Sequence, residues 1–152
     1  MKRRLLALSS GGGHWIELLR LTPAFSNIEI SFATVNCSNK EEVSGLKYTK
    51  FYTFDDVTRW NKIRWVKTAI QILRIIIKVR PHYIVTTGAL PGYMAIRIGK
   101  LIGAKTVWID SIANAGELST AGKYAGKHVD LWLTQWEHLS GKTGPYYKGA
   151  VL

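Results

Sequence analysis

Leu5-Leu6-Ala7-Leu8-Ser9-Ser10-Gly11-Gly12-Gly13-His14 is the stretch on which the fold turns. A short apolar run ends in three glycines, and helical periodicity then continues from His14 until Pro23 stops it. This predicts a buried strand over 5–9, a tight turn and a helix over 14–21. Glycine allows close approach of backbone to a ligand, and the amides of a helix N-terminus favour an anion. The alternative is a strand-to-helix turn with no ligand.

Outward from this unit the alternation repeats. Strands are predicted at 28–35, 50–54, 83–87, 106–109 and 130–134, with a last one over 147–152, and helices at 58–79, 91–102 and 119–126. Pro81 ends the long helix, Pro91 opens the next and Gly103 closes it. Strand, crossover helix and strand in series predict an α/β fold: a Rossmann-like parallel sheet with helices on both faces, one domain over 1–152. Ligands in such sheets bind at the carboxyl ends of the strands. Loops 9–14, 87–92, 110–116 and 135–139 gather there.

Composition sets bounds. The chain has 152 residues, 47% of them hydrophobic, enough for one cored domain and too few for two of ordinary size. Its 21 Lys and Arg against 10 Asp and Glu give a net charge of +11, which favours anionic partners. No acid lies between Val57 and Ile109, so one face or end is expected to be strongly positive. The single cysteine, Cys37, rules out an internal disulfide, suits a cytoplasmic location and reads as a small buried hydrophobe. Met1-Lys2-Arg3-Arg4 resembles the start of a signal peptide, but the apolar run breaks off at Ser9. No uncharged apolar run reaches membrane-spanning length, so membrane contact would be peripheral.

The glycine loop argues against familiar cofactors. The third glycine of a dinucleotide fingerprint would fall at Ile16, and Thr34-Val35-Asn36 offers no ribose-binding carboxylate. Gly-Lys-Ser/Thr is absent, so classical NAD or ATP binding is disfavoured, and the Asp and His spacing offers no metal site. His14 either acts as a general base toward a hydroxyl or caps and packs the helix. Ser9 and Ser10 read first as helix caps and second as phosphate contacts.

The long helix is unusual. From Arg59 to Arg80 it carries Lys62, Arg64, Lys67, Arg74 and Lys78 without one acid, and Trp60 and Trp65 stand among the cations of its first half. Tryptophan favours the bilayer interface, and Lys and Arg snorkel toward anionic lipid. Arg59, Trp60, Lys62, Arg64, Trp65 and Lys67 are therefore expected to contact membrane, and the later apolar half to pack in the core. A crossover helix with a solvated basic face is the plainer alternative. Nucleic acid is disfavoured, because no helix-turn-helix, zinc or RNP-like pattern occurs.

Four further segments follow in order: Thr87-Gly88-Ala89-Leu90-Pro91-Gly92, Ile109-Asp110-Ser111, Ser119 to Lys123, and Asp130 to Trp136. With Ser10 to His14, they resemble the membrane-associating subunit of the split UDP-N-acetylglucosamine transferase of the dolichol pathway, and more closely its bacterial exopolysaccharide and capsule counterparts. The glycine loop is shared with MurG-like transferases. The resemblance spans essentially the whole chain, but the N-terminal transmembrane helix of the eukaryotic members is missing here.

The resemblance implies the acceptor-side half of a GT-B glycosyltransferase divided between two chains. A one-chain enzyme would continue past Leu152 into a second Rossmann domain. A small donor-binding partner subunit would hold most of the UDP-sugar, and no cofactor or metal would be needed. The implied reaction is inverting transfer from a UDP-sugar to a polyprenyl-pyrophosphate-linked saccharide at the cytoplasmic face of the membrane. His14 is the first candidate base, with Asp110 or Glu117 second, and Asp110 alternatively a loop or cap carboxylate. Ser10, Gly11, Gly12, Gly13, Gly88, Gly92 and Ser111 are candidate substrate contacts, and Trp136 is expected in packing or partner contact. A non-catalytic module that only recruits the catalytic partner is the alternative.

Overall fold

The computed structural model describes residues 3–46, 50–57 and 61–151. The strands are β1 (Arg4–Leu8), β2 (Glu29–Thr34), β3 (Lys50–Thr53), β4 (Tyr83–Thr86), β5 (Lys105–Ile109), β6 (Leu131–Thr134) and β7 (Tyr146–Tyr147). They form one parallel sheet in the order β3-β2-β1-β4-β5-β6-β7. The order reverses between β1 and β4, the position where a doubly wound sheet opens its ligand crevice. The Rossmann-like expectation holds.

Side-chain alternation assigns the two faces. Leu6, Leu8 and Ala33 point to one side, where α3 (Lys62–Val79) packs Ile72, Ile75, Ile76 and Val79 and α4 (Ala89–Leu101) packs Ala95. Farther along, Trp108 lies under Ile96 of α4 and Ala125 of α5 (Thr120–Ala125). Leu5, Ala7, Phe32 and Ile109 point to the other side, against Trp15 and Leu18 of α1 (Gly13–Arg20). Trp15 meets Phe32 and Phe51 edge to face. A short α2 (Asn39–Glu42), absent from the sequence reading, follows β2.

Several local expectations are corrected. The α1 N-cap is Gly12, without a side-chain cap, so neither Ser9 nor Ser10 serves that role. Cys37 is exposed in the turn after β2, because the buried alternation of β2 ends at Thr34. α3 begins at Lys62, capped by Asn61 Oδ1 accepting from Arg64 N at 3.1 Å; the expected start at Thr58, with Arg59 and Trp60, lies outside the described residues. α3 ends before Pro81, as its sequence requires, through Arg80 in the left-handed region (φ 47°). Arg4 Nε donates to the carbonyls of Val79 and Arg80 at 3.0 and 2.9 Å, tying β1 to this helix end.

The later half of α3 is not simply core. Its inner face is buried, but Ile63, Val66, Ile70, Leu73 and Ile77 form an exposed ridge, with Ile63 at 85% and Ile77 at 56% exposure. Their alternating three- and four-residue spacing runs the ridge the length of the helix, opposite the buried stripe. No helix among the described residues is long and apolar enough to cross a membrane.

Candidate functional site

The loops after β1, β4 and β5 open onto a cleft of about 840 Å³. His14, Ser111, Asn114, Glu117 and Ser119 give it a polar side; Trp65 of α3, Leu90, Tyr93, Leu118 and Tyr124 give it an apolar one. The loop after β6 braces the β5 loop. Gln135 Nε2 donates to Asp110 O at 3.1 Å, and Trp136 Nε1 donates to Ile112 O at 2.7 Å.

His14 opens α1 and is locked to the β4 loop in both directions. Its Nδ1 donates to Thr87 O at 2.9 Å, and Thr87 Oγ1 donates to His14 O at 2.6 Å. A carbonyl only accepts, so Nδ1 carries a proton, and the tautomer this contact selects has its lone pair on Nε2. Gly88 makes room for this. Its φ is +132°, and a Cβ there would stand 2.9 Å from His14 Cε1. Ala89 follows at φ 64°, a left-handed conformation that alanine rarely adopts, on the wall of the cleft.

Asp110 ends β5 in a different setting. It is 1% exposed. Its Oδ1 accepts from Asn114 Nδ2 (2.6 Å) and Ser119 N (3.2 Å), and its Oδ2 from Ser119 Oγ (2.9 Å) and Trp108 Nε1 (3.2 Å). Ser119 in turn caps α5, accepting from Gly122 N. Gly122 permits the approach, since a Cβ there would lie 1.9 Å from Asp110 Oδ2. Ser111 Oγ is also engaged: it donates to Glu17 Oε1 at 3.0 Å and accepts from Ala113 N at 3.3 Å.

Glu17 is the site residue that the sequence reading missed. It is 4% exposed on α1, and its Oε1 accepts from Ser111 Oγ and Ile112 N. Its Oε2 is buried without a hydrogen-bond partner. A signal existed: His14, Glu17, Leu18 and Leu21 share one helical stripe, and its two leucines mark that stripe as the inward one.

The other sequence candidates are dispersed. Glu117 lines the cleft but is largely exposed and ion-paired to Lys123 at 2.7 Å, and that hydrogen bond lowers its carboxyl below the ordinary range. Gly92 is buried within α4, on the side facing β4, where a Cβ would come 2.3 Å from Thr86 Oγ1. Ser10, Gly11, Gly12 and Gly13 form the turn before His14 and do not line the cleft. Lys62 and Arg64 are exposed on α3, and Lys67 pairs with Asp55. Among the described residues no three His, Cys, Asp or Glu side chains gather as a metal site.

No family's sequence profile matches the chain, and comparison with curated protein sequences gives no match. Solved structures do match. MurG of Acinetobacter baumannii aligns over 97% of this chain and 45% of its own, at 9% identity and a TM-score of 0.73. UDP-N-acetylglucosamine 2-epimerase of Rickettsia bellii aligns over 99% and 46%, at 10% identity and a TM-score of 0.73. A glycosyltransferase of Rickettsia africae aligns over 89% and 36%, at 14% identity and a TM-score of 0.60. The fold is that of one Rossmann half of a GT-B-type protein. This chain spans under half the length of each of these three.

Proposed function

We propose that the chain is the acceptor-side half of a UDP-sugar-dependent glycosyltransferase and works with a second, donor-binding chain at the cytoplasmic face of a membrane. One observation carries this reading: His14 stands in the cleft with its ring fixed and Nε2 unspent among the described residues, in the same cleft as Trp65 on a helix whose outer face is apolar and flanked by cations. Attack by an acceptor hydroxyl on an anomeric carbon needs a base at the hydroxyl, and a neutral imidazole with a free Nε2 meets that need. Asp110 and Ser111 hold the loop that faces it, and the ion-paired Glu117 is a weaker base than a free carboxylate.

The ridge of α3 supports the lipid side of the proposal. Five exposed aliphatics bordered by Lys62, Lys67, Arg74 and Lys78 suit a helix lying in the plane of an anionic bilayer. Trp65 belongs both to this helix and to the cleft, so an acceptor on a polyprenyl pyrophosphate would reach His14 from the membrane side. The likeness covers one Rossmann half of UDP-sugar enzymes, and sites at domain interfaces are common, so in this reading the donor is held by a second half facing the cleft.

The recruiting-module reading is favoured by one fact: of the three catalytic candidates, Asp110 is fully engaged within its own network and Glu117 is held by Lys123. The deciding experiment measures sugar transfer from UDP-sugars to lipid extract by the chain alone and by the chain co-purified with a donor-binding glycosyltransferase subunit. Transfer is expected only from the pair. Turnover of a soluble acceptor by the isolated chain at ordinary enzyme rates, with no vesicle binding, sinks the proposal.

A further inference from the structure

A second basic feature lies at the opposite end of the sheet from the cleft. Where the last turn of α3 passes over the first residues of β1, β2 and β3, a pocket of about 140 Å³ is lined by Arg4, Glu29, Ser31, Lys50, Tyr52 and Lys78, with Val79 above. That volume equals a few water molecules and suits a single phosphate-sized group.

Arg4 is half-buried and held in one orientation by its two Nε bonds to α3 carbonyls. Those bonds also meet the negative end of the helix, which would otherwise repel an anion. Neither Nη atom bonds to a described residue, so a donor fork remains unspent. Lys50 and Lys78 make no ion pair among the described residues, and Glu29, the only acid in the lining, pairs with none of the three cations. Three positive charges against one negative leave an excess of two. The hydroxyls of Ser31 and Tyr52 add neutral donors.

The pocket is continuous with the flank of the ridge. Lys67, Arg74 and Lys78 share one side of α3 by their seven- and four-residue spacing. Lys67 pairs with Asp55, just beyond β3, which turns this side toward β3 and hence toward Lys50 and Tyr52. A helix lying with its ridge in the bilayer would therefore carry the pocket at headgroup level.

We infer that Arg4, Lys50 and Lys78 bind a phosphate group, presented by an anionic lipid headgroup beside the α3 ridge. The lipid source rests on the membrane reading above; the phosphate chemistry does not.

The test has two arms on the full chain. In solution, inorganic phosphate is titrated while backbone amide resonances are followed. Shifts are expected at Arg4, Ser31 and Lys50, with affinity falling at least about tenfold in Lys50→Ala/Lys78→Ala, since each lysine supplies a charge-assisted bond. Both lysines are exposed, so this variant folds even if Arg4→Gln weakens the end of α3. In the second arm, flotation compares phosphatidylcholine vesicles containing phosphatidic acid with vesicles containing phosphatidylglycerol at matched surface charge. A several-fold preference for phosphatidic acid is expected, lost in the lysine variant, whereas Ile70→Ser/Ile77→Ser is expected to lose binding to both. Phosphate shifts elsewhere, or unchanged by the lysine substitutions, overturn the site. Variant-sensitive phosphate binding without any vesicle binding keeps the site, assigns it to free phosphate, and overturns its lipid source together with the membrane reading.

Discussion

The loops after β1 and after β5 reach the same edge of the sheet, and each presents one side chain able to take a proton. Their surroundings divide the work. His14 has one nitrogen fixed by Thr87 O and the other without a partner among the described residues, whereas all four hydrogen bonds to Asp110 come from its own loop, its own strand and the α5 cap. The comparison teaches that position in a Rossmann crevice does not make a catalytic group. What remains unspent after folding does.

The largest expected effect tests the free nitrogen. His14→Ala is expected to lower transfer by the two-chain enzyme by about 10²–10⁴-fold while leaving the thermal midpoint nearly unchanged; near-normal turnover would end its assignment as base. Asp110→Asn is expected to act through folding instead, costing about 2–3 kcal/mol in urea titration because it breaks a satisfied buried network. Full stability with lost turnover would reverse the two roles. Glu17→Ala is expected to cost about 2 kcal/mol and to speed amide exchange at Ile112, since Ile112 N and Ser111 Oγ lose their shared acceptor. Unchanged exchange would show that Gln135 and Trp136 alone hold the loop.

Two smaller effects sharpen the picture. Ala89→Gly is expected to raise stability by up to about 1 kcal/mol, because relief of the positive φ exceeds the entropy lost by glycine. A lower thermal midpoint would mean that the cleft wall does not carry that strain. At the far end of the sheet, burial opposes ionisation of Asp130, but hydrogen bonds from Lys100 and Thr106 outweigh it and lower its carboxyl to about 2. A depressed carboxylate stabilises the fold above its unfolded value near 4 and loses that contribution as pH falls toward 2. Because the group is partly solvated, the effect is on the order of 1 kcal/mol. Asp130→Asn should flatten the acid limb of the stability profile.

The alternation of apolar runs and periodic stretches made the sheet and the main helices legible, with boundaries shifting by a few residues. Gly12 took the cap that Ser9 and Ser10 were expected to supply, because the chain turns through a positive φ (66°) at that residue. Cys37 was misplaced because one residue's polarity does not report whether a strand has ended. The α3 ridge escaped because its sequence is apolar nearly all round, and periodicity cannot separate two apolar faces when only one meets the sheet. Glu17 was hidden for the converse reason: its partners lie 94 and 95 residues away.

By itself, then, the sequence determined the local grammar: glycine and proline where the chain turns, aliphatic runs where it is buried, and an excess of cations through its middle. Those features depend on near neighbours and on a residue's own conformational and solvation preferences. The tertiary structure alone decided which carboxylates and hydroxyls are consumed by their neighbours, that His14 keeps Nε2, and that α3 leaves an apolar ridge outside. Each of those outcomes depends on contacts between segments distant in the chain, and a hydrogen-bonding group has a chemical role only once its partners have been counted.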